Sequence, residues 1–191
     1  MKFRTTLVVT LMVGLFLTGC GSSSSGTFSQ DTIALKKNRS LTYTIVTDFA
    51  ESYYDVEELT EMADEEAGET GLGVRVQSAE VTDGMIQFTY EMDSDSDYAS
   101  FMNTSCYLGT ISSAMSDSYR LKVTVNSTKD DTQVTLADVS HTDYSLFIWN
   151  EIIAVSCPGK VMYYSTNLEL TDDYLVVPQS DSAGPYYVVY K

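Results

Sequence analysis

Asp93-Ser94-Asp95-Ser96-Asp97 places three carboxylates at alternate positions, the spacing of the first three ligands of a calcium loop. Such a loop also needs glycine at its sixth position and glutamate at its twelfth, and here those are Tyr98 and Thr104. The segment therefore reads as a solvated turn that caps a following helix, and no metal site is expected. Ser140-His141-Thr142-Asp143 holds the three residue types of a hydrolytic triad, which is defined by geometry rather than order. No Gly-x-Ser-x-Gly elbow accompanies it, and neither Cys106 nor Cys157 has a recognisable nucleophile context. His141 is the single histidine, so a histidine-rich metal centre is excluded and the residue reads as part of a surface loop. Glu57, Glu58, Glu61, Asp64, Glu65, Glu66 and Glu69 crowd one segment, with no basic residue between Arg39 and Arg75. They describe a solvated helix face, or an attraction for a cationic partner. A glycosidase pair could be drawn from the same carboxylates, but no spacing singles one out. No motif calls for a cofactor.

Tyrosine is the notable excess, with 14 in 191 residues. Tyr53-Tyr54, Tyr163-Tyr164 and Tyr186-Tyr187 are adjacent pairs. On a strand, one ring of each pair faces each side of the sheet. Outward rings can stack on sugars or anchor a protein partner, which makes these six the candidate binding aromatics. The competing reading is that they pack beneath helices or cover sheet faces. Trp149, in Phe147-Ile148-Trp149-Asn150, reads as core.

The start of the chain carries the most specific signal. Met1-Lys2-Phe3-Arg4 is a short basic region and Leu7–Leu17 an apolar run, too short for a spanning helix of about 20 residues and suited to an export signal. Leu17-Thr18-Gly19-Cys20 resembles the bacterial lipobox. That resemblance implies a diacylglyceryl thioether on Cys20, cleavage between Gly19 and Cys20 by a type II signal peptidase, and anchoring to a membrane on its extracellular or periplasmic side. Two acyl chains anchor stably where one is marginal. Removal of Lys2 and Arg4 leaves nine basic and 27 acidic residues, a formal charge of −18 against −16 for the whole chain. So few scattered cations exclude nucleic-acid binding.

The elements that must position these residues follow from pattern. Gly21–Gly26 is a Ser/Gly linker, and residues 20–40 are expected to form a tether of roughly 25 Å r.m.s. reach, with an edge strand over 27–35 as the alternative. One globular domain is expected over 41–191. Leu41–Thr47 alternates as a strand, and Asp55 followed by Glu58 is a capping box that opens the best helix, with Val56, Leu59, Ala63 and Ala67 on one face and Gly68 and Gly71 at its end. Gly73–Glu80 and Met85–Met92 flank Asp83-Gly84, a strong hairpin signal. A short helix is expected over Asp97–Asn103, capped by Asp95 or Ser96. Further hairpins are expected for Tyr119–Asn126 with Thr132–Val139, and for Leu146–Val155 with Lys160–Ser165 across Cys157-Pro158-Gly159. Leu175–Val177 and Tyr186–Tyr190 close the chain, the last apolar on both faces and so central or helix-covered. The two remaining cysteines invite a bridge worth about 4 kcal/mol in the chain-entropy model. Both lie beside apolar strands, however, and free thiols are the expectation, with Cys157 at a hairpin tip the more exposed.

Tyr54-Asp55, Glu58-Leu59, Asp97–Phe101, Gly109-Thr110 and Pro158–Ser165 together resemble uncharacterised surface lipoproteins of Gram-positive gut anaerobes. That resemblance implies a displayed domain and no particular activity. The expected fold is α+β, a mostly antiparallel twisted sheet with one main helix packed on it, or a β-sandwich with a peripheral helix. The expected function is a lipid-anchored, surface-displayed binding or interaction protein with a protein or glycan partner. An extracellular hydrolase acting on glycan or peptide is the alternative.

Overall fold

The computed structural model describes residues 28–49 and 55–191. The export signal expected over 1–19, Cys20, the Ser/Gly run, Tyr53 and Tyr54 lie outside the described residues. Among those described, the chain forms β1 (Thr32–Leu35), β2 (Leu41–Asp48), α1 (Val56–Glu69), β3 (Val74–Thr82), β4 (Met85–Met92), α2 (Asp95–Phe101), β5 (Tyr107–Thr110), α3 (Ile111–Ser116), β6 (Thr124–Ser127), β7 (Gln133–Thr135), β8 (Ser145–Trp149), β9 (Ala154–Ser156), β10 (Val161–Ser165), β11 (Leu168–Leu170), β12 (Leu175–Pro178) and β13 (Tyr186–Tyr190). The fold is α+β and mostly antiparallel with one main helix, as the patterns indicate, but its strands divide between two open sheets rather than one. The larger sheet runs β11-β12-β9-β1-β2-β4-β3 and the smaller β5-β8-β13-β10-β6-β7. Among the described residues, only β1 and β9 pair in parallel.

Local chemistry explains the best-defined elements. Asp55 sits in extended backbone and accepts from the amides of Glu57 and Glu58 at 2.8 and 3.2 Å, which satisfies two orphan donors at the start of α1. The small Ala63 and Ala67 are buried, so the helix lies close on the β3–β4 end of the larger sheet. The helix passes through Gly68 and ends at Thr70, with Gly71 at φ 68° just beyond. Asp83 and Gly84 both take positive φ, 53° and 76°, as a two-residue turn between twisted strands requires. In β4, Ile86, Phe88, Tyr90 and Met92 point inward and Gln87, Thr89 and Glu91 outward.

Two apolar layers result. Between the sheets, Ile33, Tyr43, Phe88 and Tyr90 meet Phe147, Trp149, Tyr186 and Val188. Trp149 packs against Phe147 and Tyr186, with ring centroids 5.4 and 5.3 Å apart, and its indole N–H donates to the Ile153 carbonyl at 3.2 Å. On the other side of the smaller sheet, Ile111 and Ala114 of α3, with Leu121 and Leu136, cover Leu146, Ile148, Tyr187 and Val189. Both faces of β13 are thus covered, which accounts for its unbroken apolar run.

Four expectations are corrected. The segment assigned to the tether contains β1, which lies in the middle of the larger sheet between β9 and β2, so the fold begins before Leu41. Residues 119–123 are irregular and only Thr124–Ser127 joins a ladder; the partner strand stops at Thr135 and turns into a single 3₁₀ turn over Leu136–Asp138. The expected hairpin across Pro158-Gly159 does not form, because β8 and β10 lie in the smaller sheet and β9 in the larger. Cys157 is consequently buried, with its amide bonded to the Tyr174 carbonyl at 2.8 Å, and Cys106 is the more accessible thiol.

Ile33 on β1 is fully buried. Ile33→Ala should lower the unfolding free energy by about 2–5 kcal/mol, read from the urea midpoint at an unchanged m-value. A loss under about 0.5 kcal/mol would place β1 outside the cooperative unit.

Candidate functional site

The structure distributes the candidate residues rather than gathering them. Tyr186 and Tyr187 alternate between faces of β13 but are both buried, with hydroxyls donating to the carbonyls of Ser182 at 3.0 Å and Arg120 at 3.1 Å. Tyr163 is half-buried against the layer under α3, and Tyr164 against the inter-sheet layer. Tyr186 and Tyr187 thus serve packing, while Tyr163 and Tyr164 keep part of their surface exposed. Tyr53 and Tyr54 lie outside the described residues.

The three carboxylates of 93–97 turn to three different partners. Asp93 pairs with Arg75 at 2.8 Å, Asp95 accepts from the Leu108 amide at 2.7 Å, and Asp97 accepts from the Ser94 hydroxyl at 2.6 Å and the Gly73 amide at 3.3 Å. Ser94, rather than Asp95 or Ser96, caps α2. Among the described residues, no three His, Cys, Asp or Glu side chains converge as metal ligands would. Of the acids of α1, Asp64 accepts from the Val76 amide on the sheet edge at 3.2 Å.

A second group is sealed inside. Tyr98, edge-on to Tyr43 with centroids 5.9 Å apart, is fully buried, and its hydroxyl has no hydrogen-bond partner among the described residues. Burial, with Asp31 and Glu151 nearby, pushes the Tyr43 hydroxyl up to about 12, and burial with Asp95 and Glu151 does the same to the Cys106 thiol. Cys106 donates to the Asp95 carbonyl at 3.2 Å. Burial raises Cys157 as well. Both are free thiols held in the protonated form, the opposite of a reactive nucleophile.

The surface that does combine exposed aromatic and polar groups lies on the far layer, around α3. Gly109 leaves room for the Tyr107 ring to fold back over it, since a Cβ there would meet that ring. The Tyr107 hydroxyl then donates to the Thr110 carbonyl at 3.2 Å, and the Tyr119 ring packs on Tyr107 at 4.4 Å. Tyr119 and Met115 are each 41% exposed. Thr110 caps α3 by accepting from the Ser113 amide at 3.1 Å. The Ile111 and Ser112 amides donate to Tyr144 and Thr142, which brings in His141, stacked on Tyr144 at 4.8 Å, and Lys191 over the same ring at 5.7 Å. The result is an exposed Tyr119 ring on a buried Tyr107, with the Thr110 and Ser113 hydroxyls paired at 3.0 Å at the start of α3. Sequence patterns missed it because Tyr119 reads as the start of a strand and the serine-rich α3 gives no apolar period. The alternation of Tyr107 with Gly109 was the available signal.

No protein-family model matches the chain, and comparison with curated proteins and with solved structures finds no match.

Two stability predictions follow from these contacts. Tyr98→Phe removes an unpartnered buried hydroxyl and should raise the unfolding free energy by about 1 kcal/mol in urea denaturation. Destabilisation by that amount would mean that the hydroxyl is satisfied in solution. On the outer face of the larger sheet, a hydrogen bond from Lys36, reinforced by Arg75, holds Glu91 below the usual carboxylate range. A depressed folded-state value stabilises above the unfolded carboxyl's range near about 4, and the benefit is lost as pH falls through the folded value. Glu91→Gln should therefore weaken the fold at pH 7 by at most about 1 kcal/mol, and the difference should vanish near pH ~2. A difference that persists at acid pH would refute the ionic origin.

Proposed function

We propose that the protein is a lipid-anchored, surface-displayed binding protein, held to a membrane through diacylglyceryl on Cys20, with no catalysis of its own. The motif Leu17-Thr18-Gly19-Cys20 supports the anchor. Binding rests on one observation, the exposed Tyr119 ring packed on Tyr107, whose own hydroxyl bonds Thr110 at the start of α3, where the Thr110 and Ser113 hydroxyls pair. An aromatic plane with hydroxyls at its rim suits the apolar face of a sugar ring, so a glycan is the partner class favoured over a protein.

Cys20→Ala should accumulate an uncleaved precursor or release the protein from the membrane fraction; a processed, membrane-bound form of that variant would contradict the anchor. The mature protein should be retained on insoluble bacterial cell-wall glycan, and Tyr119→Ala should weaken retention by about tenfold. Equal retention of both forms, or none, would contradict the assigned surface.

A further inference from the structure

We propose that the outer face of the larger sheet, at the end carrying Phe28, Met85 and Ile152, rests against the lipid surface that holds the protein. This depends on the anchoring reading of Cys20 and adds which face is turned to the membrane.

The point where the described chain begins is fixed on the fold. The Phe28 backbone is clamped to the side chain of Gln87, which donates to the Phe28 carbonyl at 2.9 Å and accepts from its amide at 3.4 Å. Gln87 is on the outward side of β4, opposite Val46 of β2. Asp31 accepts from the Val46 amide at 2.8 Å and fastens the same segment a second time. Seven residues, and so eight chain steps, separate Phe28 from Cys20. Fully extended they reach about 28 Å, and as a flexible chain about 15 Å r.m.s.. A body of this size is about 40 Å across. The layer around α3 lies on the opposite side, beyond both sheets, so the tether cannot bring it to the bilayer.

The near end is also suited chemically to a lipid interface. Ile152, at 67%, is the most exposed of the large apolar side chains described, and Met85 is 40% exposed. Met85 is two residues from Gln87 on the same face of β4. Ile152 shares a shallow groove with Ser29, Asp31, Val46 and Val177. Side chains of this kind gain from entering the boundary between headgroups and acyl chains. Asp31 and Glu151 flank them, so the contact depends on tether length and apolar insertion rather than on attraction to anionic lipid.

Quenching by brominated phosphatidylcholine tests this on the lipidated full-length mature protein in vesicles. Tryptophan is placed at the near end by Ile152→Trp or Met85→Trp, and at the far layer by Met115→Trp. Trp149 is fully buried and supplies the same background to each. The near-end variants should be quenched at least about twofold more than the far-layer variant, after the Trp149 background is subtracted. Having both near-end positions keeps the test open if one variant fails to fold. If the protein floats with vesicles and all three positions are quenched equally, or the far layer more, the orientation is wrong while the anchor stands. If the wild-type protein does not float, the anchor and the orientation fall together.

Discussion

β1 is a four-residue strand on which the whole larger sheet depends. On one side it pairs antiparallel with β2, setting Ile33 opposite Tyr43, and on the other it pairs parallel with β9, setting Ile33 opposite Val155. Without it the sheet would be two separate three-stranded pieces, β11-β12-β9 and β2-β4-β3. Those pieces come from opposite ends of the sequence. Ile33 and Leu35 supply the inward side chains that make the core continuous across the junction. On the outward side Thr32 and Thr44 face each other and are buried beneath their neighbours, with the Thr44 and Thr89 hydroxyls 3.0 Å apart.

The layer order follows from that junction. The chain leaves the larger sheet after β4, builds β5, β6, β7 and β8 of the smaller one, returns for β9 beside β1, and crosses back for β10. The inter-sheet layer around Trp149 joins the two sheets, and α3 closes the smaller sheet from outside. Because the segment ahead of β1 lies on the outer face of the larger sheet, the two ends of the functional proposal fall on opposite sides: attachment near Gln87, and the aromatic surface near Tyr119. On the anchoring proposal, a chain fastened at Phe28 leaves seven residues after Cys20, against twenty for a domain that starts at Leu41.

What could be read from the sequence is what local chemistry decides. Asp55 before an apolar face, the strict alternation of Met85–Met92, and Asp83-Gly84 each specify their structure within a few residues. The double-sided apolar run Tyr186–Tyr190 announced a covered strand. What could not be read depends on distant partners. β1 is short and leads into Lys36-Lys37-Asn38-Arg39, where a non-glycine residue, Arg39 at φ 70°, makes the turn without glycine or proline to mark it. β9 has three residues, and nothing local shows that it belongs to a different sheet from β8 and β10. Tyrosine pairs mark strands, but which rings remain exposed is set by what covers each face. The four described candidate rings, Tyr163, Tyr164, Tyr186 and Tyr187, therefore gave no guide to Tyr119.

Native-state hydrogen exchange on the mature domain tests most directly whether β1 is integral to the fold. If β1 joins the two halves of the larger sheet, its hydrogen-bonded amides should exchange only through global unfolding, with the same free energy and denaturant dependence as those of β8 and β13 at the centre of the smaller sheet. Exchange of the β1 amides through a low-energy local opening, while β8 and β13 remain protected, would contradict the account: β1 would then lie outside the cooperative fold.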